Sequence, residues 1–131
     1  MSGGDYMSTR SMIGVMEKDG SIKAIYCHFD GYLDGVGYTL LNNYDEAKIR
    51  DLIERGDISS LGVDIKDSPA YPNTRYREFT DDLDYLDYCW NRNGWIEFAY
   101  LLCDGEWLVA AKYDEDRDTA FHPLKDAMQT V

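Results

Sequence analysis

The chain has 131 residues, a formal net charge of −12 and 44% hydrophobic residues. This length suits a single domain, and the apolar content excludes global disorder. The 25 acidic against 13 basic residues exclude direct binding of nucleic acid through its phosphates, because lysine and arginine are needed to displace the counterions. A partner with a basic surface suits this charge better.

The three cysteines, Cys27, Cys89 and Cys103, are widely spaced and include no CxxC pair. This spacing excludes a zinc ribbon, and the odd number argues against a disulfide framework. Free thiols predict a reducing, cytoplasmic location. No apolar run approaches transmembrane length, so we expect no membrane association. We interpret residues 1–6 as a flexible leader and residues 7–131 as one domain.

The first half of the chain predicts a hairpin followed by two helices. Residues 11–17 and 21–29 are apolar segments that flank an Asp-Gly turn, which is a strong hairpin signal. A short helix is predicted over residues 36–43. A clearer one follows over residues 45–55, and its apolar stripe is formed by Ile49, Leu52 and Ile53.

The second half predicts an acidic helix and a second hairpin. The helix covers residues 81–91, and a spacing of 100° per residue turns Leu83, Leu86 and Trp90 inward. The outward side chains are then those of Asp81, Asp84, Tyr85, Asp87 and Tyr88. Residues 95–103 and 106–113 flank another Asp-Gly turn. Together these elements predict an α+β domain with one antiparallel sheet, built from two hairpins, and with helices packed on one face.

Residues 24–37, AIYCHFDGYLDGVG, hold the densest run of aromatic residues and glycines in the chain. Alternation along a strand places Cys27 and His28 on opposite faces. Aromatic residues beside glycines indicate either a loop folded over the edge of the core or the mouth of a ligand site, and we favour the core edge. The candidate ligand residues of this loop are Tyr26, His28, Asp30 and Tyr32.

Several segments carry a resemblance to a known family. They are STRSxIG from Ser8, IYCHxDGY from Ile25, GVGxTLL from Gly35 and GDxSSLG from Gly56, followed by EFAYLL and DGEW. The chain resembles, from Met7 to about Trp107, an uncharacterised family of small acidic proteins that is common in bacteriophages, prophages and other mobile elements. The resemblance carries over no catalytic residues. It implies a phage context, in which small acidic proteins frequently inhibit host defence or host enzymes.

Catalytic and metal-binding patterns are weak in this sequence. Cys27 and His28 are neighbours in a strand and cannot form a nucleophile–base pair with each other. His28 and Asp30 with His122 could bind a metal, but a pair at i,i+2 with a distant third ligand is a weak signal. The sequence has no dinucleotide fingerprint after a strand, no P-loop and no nucleophile elbow. We therefore predict no catalytic residues, no metal and no cofactor.

Acidic residues concentrate in residues 78–118, under a third of the chain. Residues 78–118 hold twelve of them against Arg92, Lys112 and Arg117, a net charge of −9. Such a run is usually only a solvated face, but interleaved tyrosines favour an interface, because tyrosine gives contact area at low entropy cost. The same pattern suits a mimic of DNA, with carboxylates in place of phosphates.

The leading prediction is a phage-encoded interaction protein that binds and inhibits a host protein, through the acidic, tyrosine-rich surface. The alternative is an enzyme or small-molecule-binding protein that uses the loop around His28 and Asp30. A third hypothesis is capture of a nucleotide signal between the subunits of a homodimer. The acidity of the chain argues against an anionic ligand unless Arg10, Arg75 or Arg77 converge; for Arg10 we favour a solvated charge or an ion pair.

Overall fold

A computed structural model describes residues 8–113 and 120–129 of the chain. Six strands in these residues form one sheet: β1 Arg10–Met16, β2 Ile22–Cys27, β3 Arg77–Phe79, β4 Ile96–Cys103, β5 Glu106–Ala111 and β6 His122–Pro123. The α-helices are α1 Tyr38–Asn43, α2 Glu46–Glu54, α3 Asp82–Asp87 and α4 Leu124–Gln129. A π-helical segment precedes α1 at Leu33–Gly37, another follows α3 at Tyr88–Asn93, and Ile65–Asp67 forms a 3-10 turn. The predicted leader, residues 1–6, and the acidic residues 114–118 lie outside the described residues.

The two predicted hairpins are present. β1 pairs with β2, and β4 pairs with β5, both antiparallel. The turns use the expected residues, since Gly20 and Gly105 have φ of +89° and +80°, a region that glycine enters without steric cost. The α+β class is therefore confirmed.

The prediction of a purely antiparallel sheet is wrong. The strand order is β3-β2-β1-β4-β5-β6, and the central pair of β1 and β4 runs parallel. Parallel neighbours need a long crossover connection, which the helices and β3 between the two hairpins provide. Hairpin signals are local in sequence and do not reveal how two hairpins join.

Helices lie on both faces of the sheet, so the prediction of a single covered face also fails. One core cluster joins Ile13 and Tyr100 to residues of α1, α2 and α4. The other cluster joins Met12 and Leu101 to residues of α3. The physical reason is visible in the central strands, where consecutive residues such as Met12 and Ile13 are both apolar and both fully buried.

The acidic helix turns only part of its predicted side inward: Leu86 is buried and Trp90 is half-buried against the same core cluster, but Leu83 is not. Leu83 is 71% exposed, whereas Tyr85 is fully buried and donates a hydrogen bond of 2.8 Å to the carbonyl of Tyr100. Regular α-helix covers only Asp82–Asp87; the π-helical segment that follows has more residues per turn and buries Cys89, with Trp90 half-buried beside it. A uniform 100° rotation therefore misplaced Leu83 and Tyr85.

Every helix in the described part of the chain is too short or too polar to cross a lipid bilayer.

Candidate functional site

The four candidate residues of the glycine-rich loop form two separate pairs. The hydroxyl of Tyr26 lies 2.7 Å from Nδ1 of His28, and the hydroxyl of Tyr32 donates to the carboxylate of Asp30 at 3.1 Å. The loop itself is fixed to the edge of the core, where the hydroxyl of Tyr100 donates to the carbonyl of Gly31 at 2.7 Å. A side chain at Gly31 would lie 2.7 Å from the carbonyl of Thr9, so only glycine fits there.

The predicted acidic surface is only partly assembled. Asp81 is exposed and caps α3, while Asp84 and Asp87 both pair with Arg92, at 2.8 and 3.2 Å. Arg92 also lies 5.5 Å from the ring of Tyr88, which is half-buried. Because Tyr85 is buried and Arg92 offsets two carboxylates, the five predicted residues do not present one continuous acidic and aromatic surface.

The two buried thiols are poorly suited to act as nucleophiles. All three cysteines are free, and Cys27 and Cys89 are buried. Burial raises the pKa of the Cys27 thiol to about 12, so it stays protonated at neutral pH. Within residues 8–113 and 120–129, no group of three or more His, Cys, Asp or Glu side chains is placed to hold a metal ion.

Two arginines converge on a cavity of about 250 Å³ beside Tyr26. The lining residues, which we name the arginine pocket, are Arg10, Tyr26, Arg77, Asn93 and Trp95. Arg10 begins β1, Tyr26 lies near the end of β2, and Arg77 begins β3. Asn93 ends the π-helical segment after α3, and Trp95 directly precedes β4. Four parts of the chain that are distant in sequence therefore meet at one end of the sheet.

The sheet register explains this convergence. Tyr26 is paired with Met12 and Arg77 with Ala24, and these pairs lie on the face that α3 covers. The pairing of β1 with β4 shifts between Arg10 and Ser11, which marks a β-bulge. Bulges redirect side chains and are frequent next to functional sites.

Arg77 is held by a buried carboxylate. It donates two hydrogen bonds to Asp57, of 2.9 and 3.1 Å, and Asp57 also accepts from the backbone N–H of Tyr26. The hydrogen bond to Asp57 raises the pKa of Arg77 above its ordinary value, so the side chain stays charged. The other side of its guanidinium lies 5.8 Å from the ring of Tyr88.

Arg10 is differently placed. Its guanidinium lies 5.1 Å from the ring of Trp95, whose side chain is 68% exposed. Among the described residues Arg10 makes no ion pair, so the expected pairing with an aspartate is not found there. Burial raises the pKa of Tyr26, and the charge and hydrogen bonding of Arg10 offset part of that rise. The pocket thus holds a positive charge that no described carboxylate balances.

Two larger clefts are lined by mixed charges. One of about 580 Å³ contains Glu17, Glu46 and Arg50, but Arg50 already pairs with both glutamates, at 2.9 and 3.0 Å. The other, of about 500 Å³, lies beside Trp107 and Lys125 on the opposite face of the sheet. Neither cleft combines two cations with aromatic walls as the arginine pocket does.

No protein-family model, no curated protein and no solved structure matches this chain significantly.

Sequence reasoning identified Tyr26 as a candidate, and it named convergence of Arg10, Arg75 or Arg77 as the condition for an anionic ligand; Arg10 and Arg77 line the pocket and Arg75 does not. It missed Asn93 and Trp95, and it placed Arg77 in a loop, where the structure has β3. Arg10 and Asp57 do lie in two of the segments that carry the family resemblance, STRSxIG and GDxSSLG.

Proposed function

We propose that this protein binds a small anionic molecule in the arginine pocket. This is the small-molecule alternative of the sequence analysis, moved from the glycine-rich loop to the cavity that Tyr26 shares with Arg10 and Arg77. The observation that carries the proposal is the convergence of two guanidinium groups on one cavity in a chain whose net charge is −12.

Placing two arginines side by side at a partly buried position costs free energy, and this cost supports a binding role. Cations that serve only solubility lie apart on the surface, whereas Arg10 is half-buried beside another arginine and a partly desolvated tyrosine. Guanidinium groups match oxyanions because several N–H groups point the same way, and such charge-assisted bonds are the strong ones. Aromatic rings next to them add contact area, as in most small-molecule sites. We propose binding rather than catalysis, since the five lining residues include no serine, threonine, cysteine or carboxylate.

Isothermal titration calorimetry on the wild-type protein and two variants tests the proposal. The ligands are phosphate, cyclic AMP, AMP and benzoate. Arg10→Gln should abolish binding, because it removes the unbalanced cation of the pocket. Lys18→Gln is the matched control: it makes the same change in net charge, but at a residue that lines the cleft beside Glu17. Its affinity should equal that of the wild type.

Binding that is equally strong in Arg10→Gln, or the absence of binding to all four ligands, would contradict the proposed function. Circular dichroism on the same samples establishes that the variants are folded.

A second candidate is the phage-encoded inhibitor of a host protein with a basic surface. The charge asymmetry favours it, because most of the net charge lies within residues 78–118. Asp82 and Asp87 are both exposed, and Asp82 makes no ion pair among the described residues. Asp84 instead accepts a hydrogen bond from the backbone N–H of Thr80. Asp82 and Asp87 are therefore better positions for a test than Asp84.

The test for this candidate is capture of a bacterial protein at low and high salt. A partner held by electrostatics should be lost at high salt, and it should be lost at low salt with Asp82→Lys/Asp87→Lys. Capture that is indifferent to both salt and the double substitution would rule out the electrostatic version.

A further inference from the structure

The arginine pocket has a definite net charge that bears on its ligand. Building on the proposed function, we infer that the pocket prefers a singly charged oxyanion joined to a planar ring, such as a cyclic nucleotide or an aromatic carboxylate, over a doubly charged phosphate monoester. The inference depends on three features: the charge of the pocket, the donors that face it and the exposed ring of Trp95.

The charge of the pocket is +1, not +2. Arg10 and Arg77 each contribute a positive charge, but Asp57 lies against Arg77 with both carboxylate oxygens and is itself only 6% exposed. A buried carboxylate in a two-bond contact balances the charge of its arginine. One positive charge, that of Arg10, is then left for a ligand. A second negative charge on the ligand would also be attracted to Arg10, but it would lose hydration on entering the cavity and would face the field of a chain with a net charge of −12, and these two costs exceed that attraction.

The donors of the pocket suit two oxygen atoms. Two of the five N–H groups of Arg77 point at Asp57, Tyr88 contacts the same guanidinium, and the N–H groups that face the cavity can serve a ligand. Arg10 supplies its own fork of N–H groups. Both a phosphodiester and a carboxylate present two terminal oxygens with one shared charge, and forked guanidinium donors match that geometry.

Trp95 supplies the surface for the planar ring. It is 68% exposed and directly adjoins the unpaired cation, with Arg10 5.1 Å from the ring. Exposed tryptophans that are held beside an arginine are effective stacking surfaces. The cavity, at about 250 Å³, is smaller than most pockets for drug-sized ligands, so we place the charged group inside it and the ring over Trp95.

The test is a calorimetric comparison of cyclic AMP, benzoate, AMP and adenosine at pH 7.5 and constant ionic strength. Cyclic AMP should bind at least about fivefold more tightly than AMP, because the second charge of AMP loses more in hydration than it gains from Arg10. Adenosine should bind more weakly than cyclic AMP, because it carries no charge. The order of cyclic AMP and benzoate then identifies a phosphodiester or a carboxylate as the better match.

Lowering the pH provides an independent check on the wild-type protein. The second proton of a phosphate monoester binds with a pKa of about 6, so AMP becomes a monoanion near pH 5 while cyclic AMP is unchanged. The ratio of the two dissociation constants should therefore approach one. The titratable and charged groups around the site are Arg10, Arg77, Asp57, His28 behind Tyr26, and Lys112, which contacts Gly94. Near pH 5 both ligands are monoanions, so any change in the charge of the pocket acts on them alike and cancels in the ratio.

Asp57→Asn tests the charge count itself. It keeps the shape of the side chain but leaves Arg77 unbalanced, so the pocket carries +2 and the preference should reverse toward AMP. If this variant does not fold, the pH series on the wild type decides the question alone. The inference is overturned if AMP binds at pH 7.5 as tightly as both monoanions.

The outcomes separate the inference from the proposed function. If AMP binds as well as the monoanions, and Arg10→Gln abolishes all binding, the preference for a single charge is wrong and the anion site stands. If adenosine binds as tightly as cyclic AMP, charge plays no part, and both the inference and the proposed function fail.

Discussion

The guanidinium of Arg77 donates two hydrogen bonds, of 2.9 and 3.1 Å, to the carboxylate of Asp57. This contact ties the edge strand β3 to the segment that follows α2, and Asp57 also accepts from the backbone of Tyr26. The same carboxylate therefore supports the sheet and sets the charge of the arginine pocket.

Replacing Asp57 with alanine should destabilise the protein. The change leaves Arg77 without its anion and the N–H of Tyr26 without its acceptor. We expect a loss of about 2 kcal/mol, below the 3–5 kcal/mol typical of a fully buried pair, because solvent screens the partly exposed Arg77. Urea unfolding measures it. Asp87→Ala, which breaks an exposed ion pair with Arg92, should cost less than about 1 kcal/mol; an equal loss in both variants would contradict the structural role of Asp57.

The buried hydroxyl of Tyr85 is a second test. Tyr85→Phe removes its hydrogen bond to the carbonyl of Tyr100 and leaves that acceptor without its side-chain donor. The free energy of unfolding should fall by about 1 kcal/mol. Tyr38→Phe is the matched control, since Tyr38 is 56% exposed, and its stability should stay within about 0.5 kcal/mol of the wild type. No difference between the two would indicate that Tyr85 faces outward, as the sequence predicted.

Trp107 and Trp95 should differ strongly when each is replaced by alanine. Trp107 is 5% exposed and its indole N–H donates to the carbonyl of Tyr44 at 2.9 Å. Its truncation should cost about 3–5 kcal/mol. Trp95→Ala should cost less than about 1 kcal/mol, because that ring is mostly in solvent, but it should weaken ligand binding. Thermal melts with calorimetry separate the two effects; a normal melting temperature for Trp107→Ala would contradict its place in the core.

The carboxyl group of Glu17 should make the stability of the protein depend on pH in the acid range. Hydrogen bonding to Arg50, with its charge and that of Lys23, holds the pKa of this carboxyl below its ordinary value of 4.5, although burial opposes the shift. A lowered pKa means that the stabilisation is complete above pH 4.5 and is lost as the pH falls through the pKa of the folded protein. The melting temperature of Glu17→Gln should therefore be lower than that of the wild type at neutral pH.

As the pH falls below the lowered pKa of Glu17, the two melting temperatures should converge, because protonated glutamic acid and glutamine are then both neutral. A gap that stays constant between neutral and acid pH would show that the charge of Glu17 contributes nothing.

Local signals in the sequence predicted the hairpins and α2 well. The Asp-Gly turns and the stripe of Ile49, Leu52 and Ile53 each arise from residues close together in the chain, and all three apolar side chains are buried. The parallel pairing of β1 with β4 joins residues more than eighty positions apart, such as Ile13 and Tyr100. No local pattern encodes that pairing. The pairing makes the sheet mixed, and the crossover that it requires places helices on both faces.

The site was harder to predict for the same reason. Arg10 and Trp95 meet only because β1 and β4 are neighbours, and Arg77 joins them only because β3 pairs with β2. The strand β3 has three residues and follows a segment with two prolines, so its sequence is typical of a loop. The net charge of −12 argued against an anionic ligand. A net charge, however, does not show where the few cations converge.

A single proton–nitrogen NMR titration tests the arginine pocket most directly. The three tryptophans, Trp90, Trp95 and Trp107, give three indole N–H signals that substitution assigns. Trp95 lines the arginine pocket, and Trp107 lines the cleft on the opposite face. On addition of cyclic AMP, the Trp95 signal should shift in the wild type and stay unmoved in Arg10→Gln, with Trp107 unmoved in both. A shift at Trp107 with none at Trp95, or no shift at all, would contradict the account.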